Sequence, residues 1–446
     1  MKDAHPLEKS LGMELYSTES SGIGGKLKTR FEDFVVQEIT PDNQILSIED
    51  WPTSTSSPQT IDGERSRFLT FTIQKMGLAT MDLSNILAAS LRISRNFVTY
   101  AGLKDKRAIT VQTMSVPSST TETLSFLELS RIAIRDIRYT RHPIQIGDLW
   151  GNRFTILLKD ITTDRDTALK ATEQLLNTPV LNYFGVQRFG VTRPYTHLVG
   201  KALVLRDFES AVRIMLSTTS EYESEELTDI RMQLSENLIP TQKIIDSFPR
   251  ELNYEKDIMM HLMKHPGEFE RAIKKTPPKL LTLQVHAFQS YIFNRLISER
   301  ARLKLSIDKP QVGDFLIKLN ETHSGRDSWL FVTDSTLEER ERQVALGEYG
   351  LAAPIPGYST RLPPSIQTDL VKQALKDENV QLRDFRNTSI KALDAPGGLH
   401  LTAIIMTDLE PSHSDDGLLV KFSLRKGSYA TVVMREIMKT HPINRV

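Results

Sequence analysis

Apolar and polar positions follow two periods along this chain, and the order in which the periods alternate organises it. Phe34 and Val36 alternate with Val35 and Gln37, which predicts a half-buried strand. Leu69, Phe71 and Ile73 share one face of a second strand over 67–75. The spacing Leu83, Ile86, Leu87, Leu91 then predicts a helix over 81–91. Residues 96–100 and 108–116 read as strands on either side of a charged turn, 132–139 and 153–158 as two more, and 164–176 as a helix. Beyond Arg193-Pro194 the period changes: 195–280 reads as mostly helical, and 281–303 as one amphipathic helix carrying Phe288, Ile292 and Leu296. Strand-like pieces at 311–319 and 329–333 and helices at 337–346 and 369–376 flank a turn-rich stretch holding Pro354, Pro356, Pro363 and Pro364. Strands return at 401–406 and 418–424, followed by a helix at 431–439 with Ser428 as candidate cap. Segments 52–60 and 117–122 are polar loops. Strands, then helices, then strands again predict an α+β domain interrupted by an inserted one.

Composition narrows the function classes. At 446 residues the chain has ample core for more than one domain, and 39% hydrophobic with 25% charged residues fits a soluble globular protein. No run of about 18 apolar residues exists, and the first residues lack a signal-peptide core, so a cytoplasmic protein without a membrane span is expected. The absence of cysteine removes disulfides, thiolate zinc sites and any reaction through a cysteine adduct. Net charge is +0, yet between Leu91 and Thr155 ten basic residues stand against five acidic ones, leaving +5, and Glu221, Glu223, Glu225, Glu226 and Asp229 balance them elsewhere. That separation permits a local phosphate-binding face on a neutral protein.

Chemistry concentrates in Tyr100-Ala-Gly-Leu-Lys-Asp-Lys-Arg-Ala108, where Asp105 sits at an exposed turn between Lys104, Lys106 and Arg107. Flanking cations favour its ionised form, which suits a nucleophile or an ion-paired anion and suits a general acid poorly. Gly22-Ile-Gly-Gly-Lys26 fits neither common nucleotide-binding spacing. His261 and His265 have the spacing of a zinc-protease pair, but Leu262 stands where the base would be and Pro266 follows the pair, so no metal site is expected.

Three blocks coincide in order: Lys28…Glu32-Asp33-Phe34-x-Val36-x-Glu38, Ala101-Gly-Leu-Lys-Asp105-Lys-x-Ala108-x-Thr110-x-Gln112, and Asn182-Tyr-Phe-Gly-x-Gln-Arg-Phe-Gly190. Two more follow, His286-Ala-Phe-Gln-Ser-Tyr-Ile-Phe-Asn-x-Leu296 and Gly427-Ser-Tyr-Ala-Thr431-x-x-x-Arg435-Glu436. Together they resemble the TruD family of tRNA pseudouridine synthases over most of the chain, 52–64 and 200–280 excepted. Phe31 and Leu181 stand where relatives often have proline, which changes loop stiffness ahead of two motifs.

The resemblance implies that uridine in tRNA, at position 13 by preference, is isomerised to pseudouridine without cofactor or metal. It makes Asp105 the catalytic aspartate, pairs Lys28 with it, and sets Phe184 and Asn182 against the target uracil. Lys104, Lys106, Arg107 and Arg188 are candidate RNA contacts. It also implies a pseudouridine synthase catalytic domain with a mixed, largely antiparallel sheet, in two parts at 1–194 and 386–446. An inserted α/β domain at 195–385 would grip the RNA. No segment marks an obligate protein partner. The residues fit the chemistry independently. An anion at Asp105 serves attack on C1′, attack on uracil C6, or removal of a ribose proton, and Phe184 offers a flat surface for a detached base. Alone, Phe184 reads as core and Lys28 as a surface lysine. The rival class, an RNA-binding protein without catalysis, would need none of Asp105, Lys28 and Phe184.

Overall fold

The computed structural model describes residues 1–51, 58–319 and 329–445. Most of the expected polar loop at 52–60 lies outside the described residues. An N-terminal ribbon pairs β1 (Lys2–Asp3) with β2 (Leu15–Tyr16). There follow β3 (Gly24–Lys26), β4 (Phe34–Ile39), β5 (Ile61–Asp62), β6 (Phe68–Met76), β7 (Thr99–Tyr100), β8 (Ile109–Pro117), β9 (Ile132–Thr140) and β10 (Gly151–Ile161). Later come β11 (Phe315–Lys318), β12 (Trp329–Phe331), β13 (Tyr349–Ile355), β14 (Gly398–Leu401), β15 (Met406–Ser414) and β16 (Gly417–Arg425).

Ten of these form one mixed sheet in the order β15-β16-β10-β4-β8-β6-β9-β5, with β3 added to β10 and β7 to β8. Its pairings are antiparallel except β4 with β8 and β5 with β9. The protein is thus α+β with a mixed, largely antiparallel sheet, as expected. Because β4 and β8 run parallel, the segments that lead into them arrive from the same end. That brings Lys28 beside Asp105 across 77 positions of sequence.

Register decides which side chains share a face. Phe34 and Val36 of β4 lie level with Ile156 and Phe154 of β10, and Phe154 with Phe422 of β16. Their apolar face joins the main core. On the same face, Val36 is level with Thr110, and Thr110 with Lys75 of β6. By the period of two, Glu38 and Gln112 belong there as well. One end of this face is therefore apolar and the other a buried polar floor of Glu38, Thr110, Gln112 and Lys75.

The sheet shares its core with the stretch expected as an insertion. A 25-residue helix, Pro278–Arg302, supplies Phe288, Ile292, Phe293 and Leu296 to the same core that holds Phe34, Phe154 and Phe184. Helix Thr196–Val204 lies so close to it that a Cβ on Gly200 would stand 2.0 Å from the Gln284 carbonyl oxygen. A smaller antiparallel sheet, β12-β11-β13-β14, takes its last strand from beyond residue 385.

Several local expectations change: the strand expected at 96–100 is confined to Thr99–Tyr100 after a short 3-10 helix, Arg95–Phe97, and the loop expected at 117–122 leads into the helix Thr121–Ser125. Pro354, expected in a turn, lies in β13 opposite Leu399, beyond the point where β11 pairs, so its missing N–H breaks no ladder bond. The expected strand at 401–406 is split between β14 and β15, because the chain crosses there from the small sheet to the large one. Ser428 does not cap the last helix. Tyr429 holds the cap position without a side-chain bond, and the Ser428 N–H closes a turn onto Arg425.

The two ends of the chain are joined by buried ions. Glu8 accepts from Arg435 at 2.7 Å and from Arg445 at 2.8 Å, and Arg435 also binds Glu436. Glu436 in turn accepts the backbone N–H groups of Ser17 and Thr18. Each acid thus has at least two donors, the condition under which buried charge is tolerated.

Candidate active site

Asp105 lies on a loop that crosses the polar end of the sheet face. Backbone anchors fix its path: Lys104 N–H donates to Thr80 Oγ1 at 2.9 Å, and Gln112 donates to the Gly102 carbonyl at 3.3 Å. The Lys28 ammonium meets the Asp105 carboxylate at 2.6 Å. The lysine side chain is 5% exposed and the aspartate 33%, so the pair has a covered cation and an open anion. Lys28 also sits 4.3 Å from the centroid of the Phe34 ring, which favours the charge from below. Its own backbone is left-handed, φ 56°, and the Arg107 guanidinium holds its carbonyl at 2.9 Å.

Under the loop lies a second lysine that the motif reading passed over. Lys75, fully buried, donates to the carbonyls of Leu78 at 2.6 Å and Asp105 at 2.9 Å. Burial pushes its pKa down to about 8; the Asp105 charge opposes that shift and Lys104 adds to it. A signal existed in the sequence, since Lys75 continues the apolar face Leu69, Phe71, Ile73.

The third, fourth and fifth blocks meet in an aromatic nest. Phe184 stacks on His400, with ring centroids 4.5 Å apart and 20° between planes, while Phe293 meets it edge-on and Tyr429 lies at 6.2 Å. Asn294 pins the loop, accepting from the Phe184 N–H at 2.8 Å and donating to its carbonyl at 3.0 Å. Asn182 donates to His400 Nε2 and to the Leu401 carbonyl. Burial, with Arg188 nearby, pushes the His400 pKa down to about 4. Asn294 belongs to the fourth block, whereas His400 lies in none of the blocks and takes its place only through long-range packing.

A relay of contacts links the nest to the segment that carries the Asp105 loop. Gly147 N–H binds the Ala101 carbonyl at 2.8 Å, Lys426 Nζ binds the Gly147 carbonyl at 2.9 Å, and a Cβ on Gly427 would lie 3.7 Å from His400. The candidate RNA contacts divide. Lys106 and Arg107 are exposed on the loop, as is the apolar side chain of Leu103 in the same loop. Arg188 lies over the Phe184 ring at 5.4 Å. Lys104 does not join them, because its ammonium is buried against Glu38 at 2.7 Å and forms part of the floor. Arg135 and Arg153 are likewise engaged by Glu49 and Glu410, so the basic stretch is less free than its count suggests.

His261 faces Glu268 at 3.3 Å, and its ring lies 5.0 Å from that of His265. Among the described residues, no group of three or more His, Asp or Glu side chains is arranged to hold a metal ion. No helix among them is long and apolar enough to cross a membrane.

Comparison with known proteins fits this geometry. A family model described as tRNA pseudouridine synthase D (TruD) matches residues 10–437. The chain is 30% identical over 452 residues to a Methanosarcina mazei protein named "Probable tRNA pseudouridine synthase D", covering 98% of each. It is 33% identical over 378 residues to a Methanopyrus kandleri protein of the same name, covering 84% of this chain and 86% of that one. A crystal structure solved for a Methanosarcina mazei protein under the TruD name superposes with a TM-score of 0.80 at 29% identity, over 99% of this chain and all of that one. The fold is that of a pseudouridine synthase. The chain belongs to the TruD family.

Proposed function

We propose that this protein isomerises uridine to pseudouridine in tRNA, with Asp105 as the reacting carboxylate and uridine 13 as its preferred target. The observation that carries the assignment is the contact between Lys28 and Asp105, in which a covered ammonium meets a carboxylate that is still a third exposed. The isomerisation breaks C1′–N1, forms C1′–C5 and moves one proton from C5 to N1. Nothing is oxidised or reduced, so side chains alone suffice and no cofactor or metal is invoked. Whether the carboxylate attacks C1′, attacks C6 or takes a ribose proton, it must be ionised and face the nucleoside.

Phe184 and Asn182 would hold the uracil while it turns. Lys106, Arg107 and Arg188 would meet the backbone, with Leu103 of the same loop as an apolar contact. The unit at 195–385, completed by β14, would grip the folded RNA. Recognition of that kind is mostly of shape and phosphate, and flipping a base from its stack costs a few kcal/mol. We place this work in the cytoplasm and assign it no protein partner. Incubation with unmodified tRNA and chromatographic resolution of the nucleosides tests the reaction. Pseudouridine maps of cells with and without the protein test the position. Absence of product with folded tRNA sinks the proposal; product at other uridines, with position 13 unmodified, sinks only the target.

A further inference from the structure

The hydrogen bonds of Asn182 define what that side chain can read. Its Nδ2 carries two protons, and both are used inside the protein, toward the Leu401 carbonyl at 3.1 Å and His400 Nε2 at 3.2 Å. Its Oδ1 is shielded from solvent and has no hydrogen-bond partner among the described residues. The Leu401 carbonyl can only accept, so the amide nitrogen must face it; a flipped amide would set two acceptors against each other. His400 faces the same nitrogen, which has no lone pair to offer. Its Nε2 must therefore be the unprotonated ring nitrogen, with the proton on Nδ1. That tautomer requires a neutral ring, and the low His400 pKa, about 4, keeps it neutral at physiological pH. A buried acceptor left open is costly, which makes sense where a ligand supplies the missing donor.

We infer that His400 is a specificity-determining positioning residue: by accepting from Asn182 Nδ2 it keeps Asn182 Oδ1 available as an acceptor, and this selects uracil over cytosine. The inference rests on the reading that Asn182 faces the target base. Uracil N3 carries a hydrogen and completes the open acceptor. Cytosine N3 carries a lone pair and opposes it. Sites built to hydrogen-bond one partner reject the analogue that leaves them unpaired.

His400 also stacks on Phe184, so packing is the competing explanation for any effect of its loss. Two substitutions separate these roles. His400→Gln keeps an acceptor for the Asn182 amide and loses the ring; His400→Phe keeps the ring and loses the acceptor. The full-length protein carrying Asp105→Asn, to prevent turnover, is titrated with a tRNA substrate bearing uridine or cytidine at the converted position. We expect the parent and His400→Gln to prefer uridine by about tenfold or more, and His400→Phe to lose that preference while still unfolding in one cooperative transition. Preference kept by His400→Phe and lost by His400→Gln would show that the ring, not the acceptor, matters, and overturns the inference. So does a parent that binds both RNAs equally. If the parent discriminates and Asn182→Ala discriminates just as well, Asn182 does not face the base, and it is the underlying reading that fails.

Discussion

Lys28 Nζ lies 2.6 Å from Asp105 Oδ1, with the lysine almost wholly covered and the carboxylate a third open. An ion pair on a solvated surface is worth little, but here the cation has no water to fall back on. Asp105→Asn preserves size and removes charge. We expect turnover to fall at least about a thousandfold, with tRNA affinity and melting temperature close to the parent. Single-turnover assays beside filter binding measure both, and activity within tenfold of the parent would remove Asp105 from the chemistry.

Lys28→Met replaces the covered cation by an apolar chain of similar length. The Asp105 carboxylate then loses its partner, while the Phe34 ring beneath keeps a neighbour. The expected result is a fall in kcat larger than any rise in Kd for tRNA. An unchanged kcat would show that the pair is structural.

Lys75 gives the site a pH dependence. Below about 8 it is an ammonium bridging the Leu78 and Asp105 carbonyls; above, it loses a donor and the loop is held less firmly. Activity should therefore fall on the alkaline side with a midpoint near 8. Stability has the opposite sign. The unfolded lysine keeps its proton to about 10.4, so between the two values the unfolded chain binds more protons and this residue's contribution to stability rises with pH. Rate profiles of parent and Lys75→Met decide the matter: the limb should vanish in the variant at a lower plateau, whereas a limb common to both belongs to the RNA or to another group.

How far the sequence carried depends on which property of a side chain was asked for. Alternation located β4, β6, β9 and β16 closely, because period-two burial is written locally. It names a strand's face and not its neighbour, so the parallel pairing of β4 with β8 had no local trace, and Lys28 reached Asp105 only through resemblance. Lys104 read as a surface charge because its turn is crowded with charges. Yet Glu38 follows Phe34 and Val36 on the inward face, and an inward carboxylate needs a partner such as Lys104. His400 was invisible, since its neighbours Asn182, Phe184 and Phe293 lie more than a hundred positions away.

The least local feature is the dependence of the nest on the long helix, and it makes the last prediction. Reading the chain as a catalytic domain with a removable insertion suggests that 195–385 could be replaced by a linker without harm to the sheet. The packing argues otherwise. Asn294 on that helix satisfies the Phe184 N–H and carbonyl and also donates to the Leu11 carbonyl, and Ser298 binds Tyr183 at 2.7 Å. Asn294→Ala would leave these buried backbone groups unpaired, at about 1–3 kcal/mol for each. We expect a lowered melting temperature and weaker discrimination between uridine- and cytidine-bearing tRNA, with the Lys28–Asp105 pair untouched. Replacing 195–385 by a flexible linker removes Asn294, Ser298, Phe288 and Phe293 together and opens the main core. The truncated chain should then bind an apolar dye and lose protection of the Phe184 loop from hydrogen exchange. A truncated chain with a sharp thermal transition and a protected loop would show that the sheet folds alone and that the helix only lies against it.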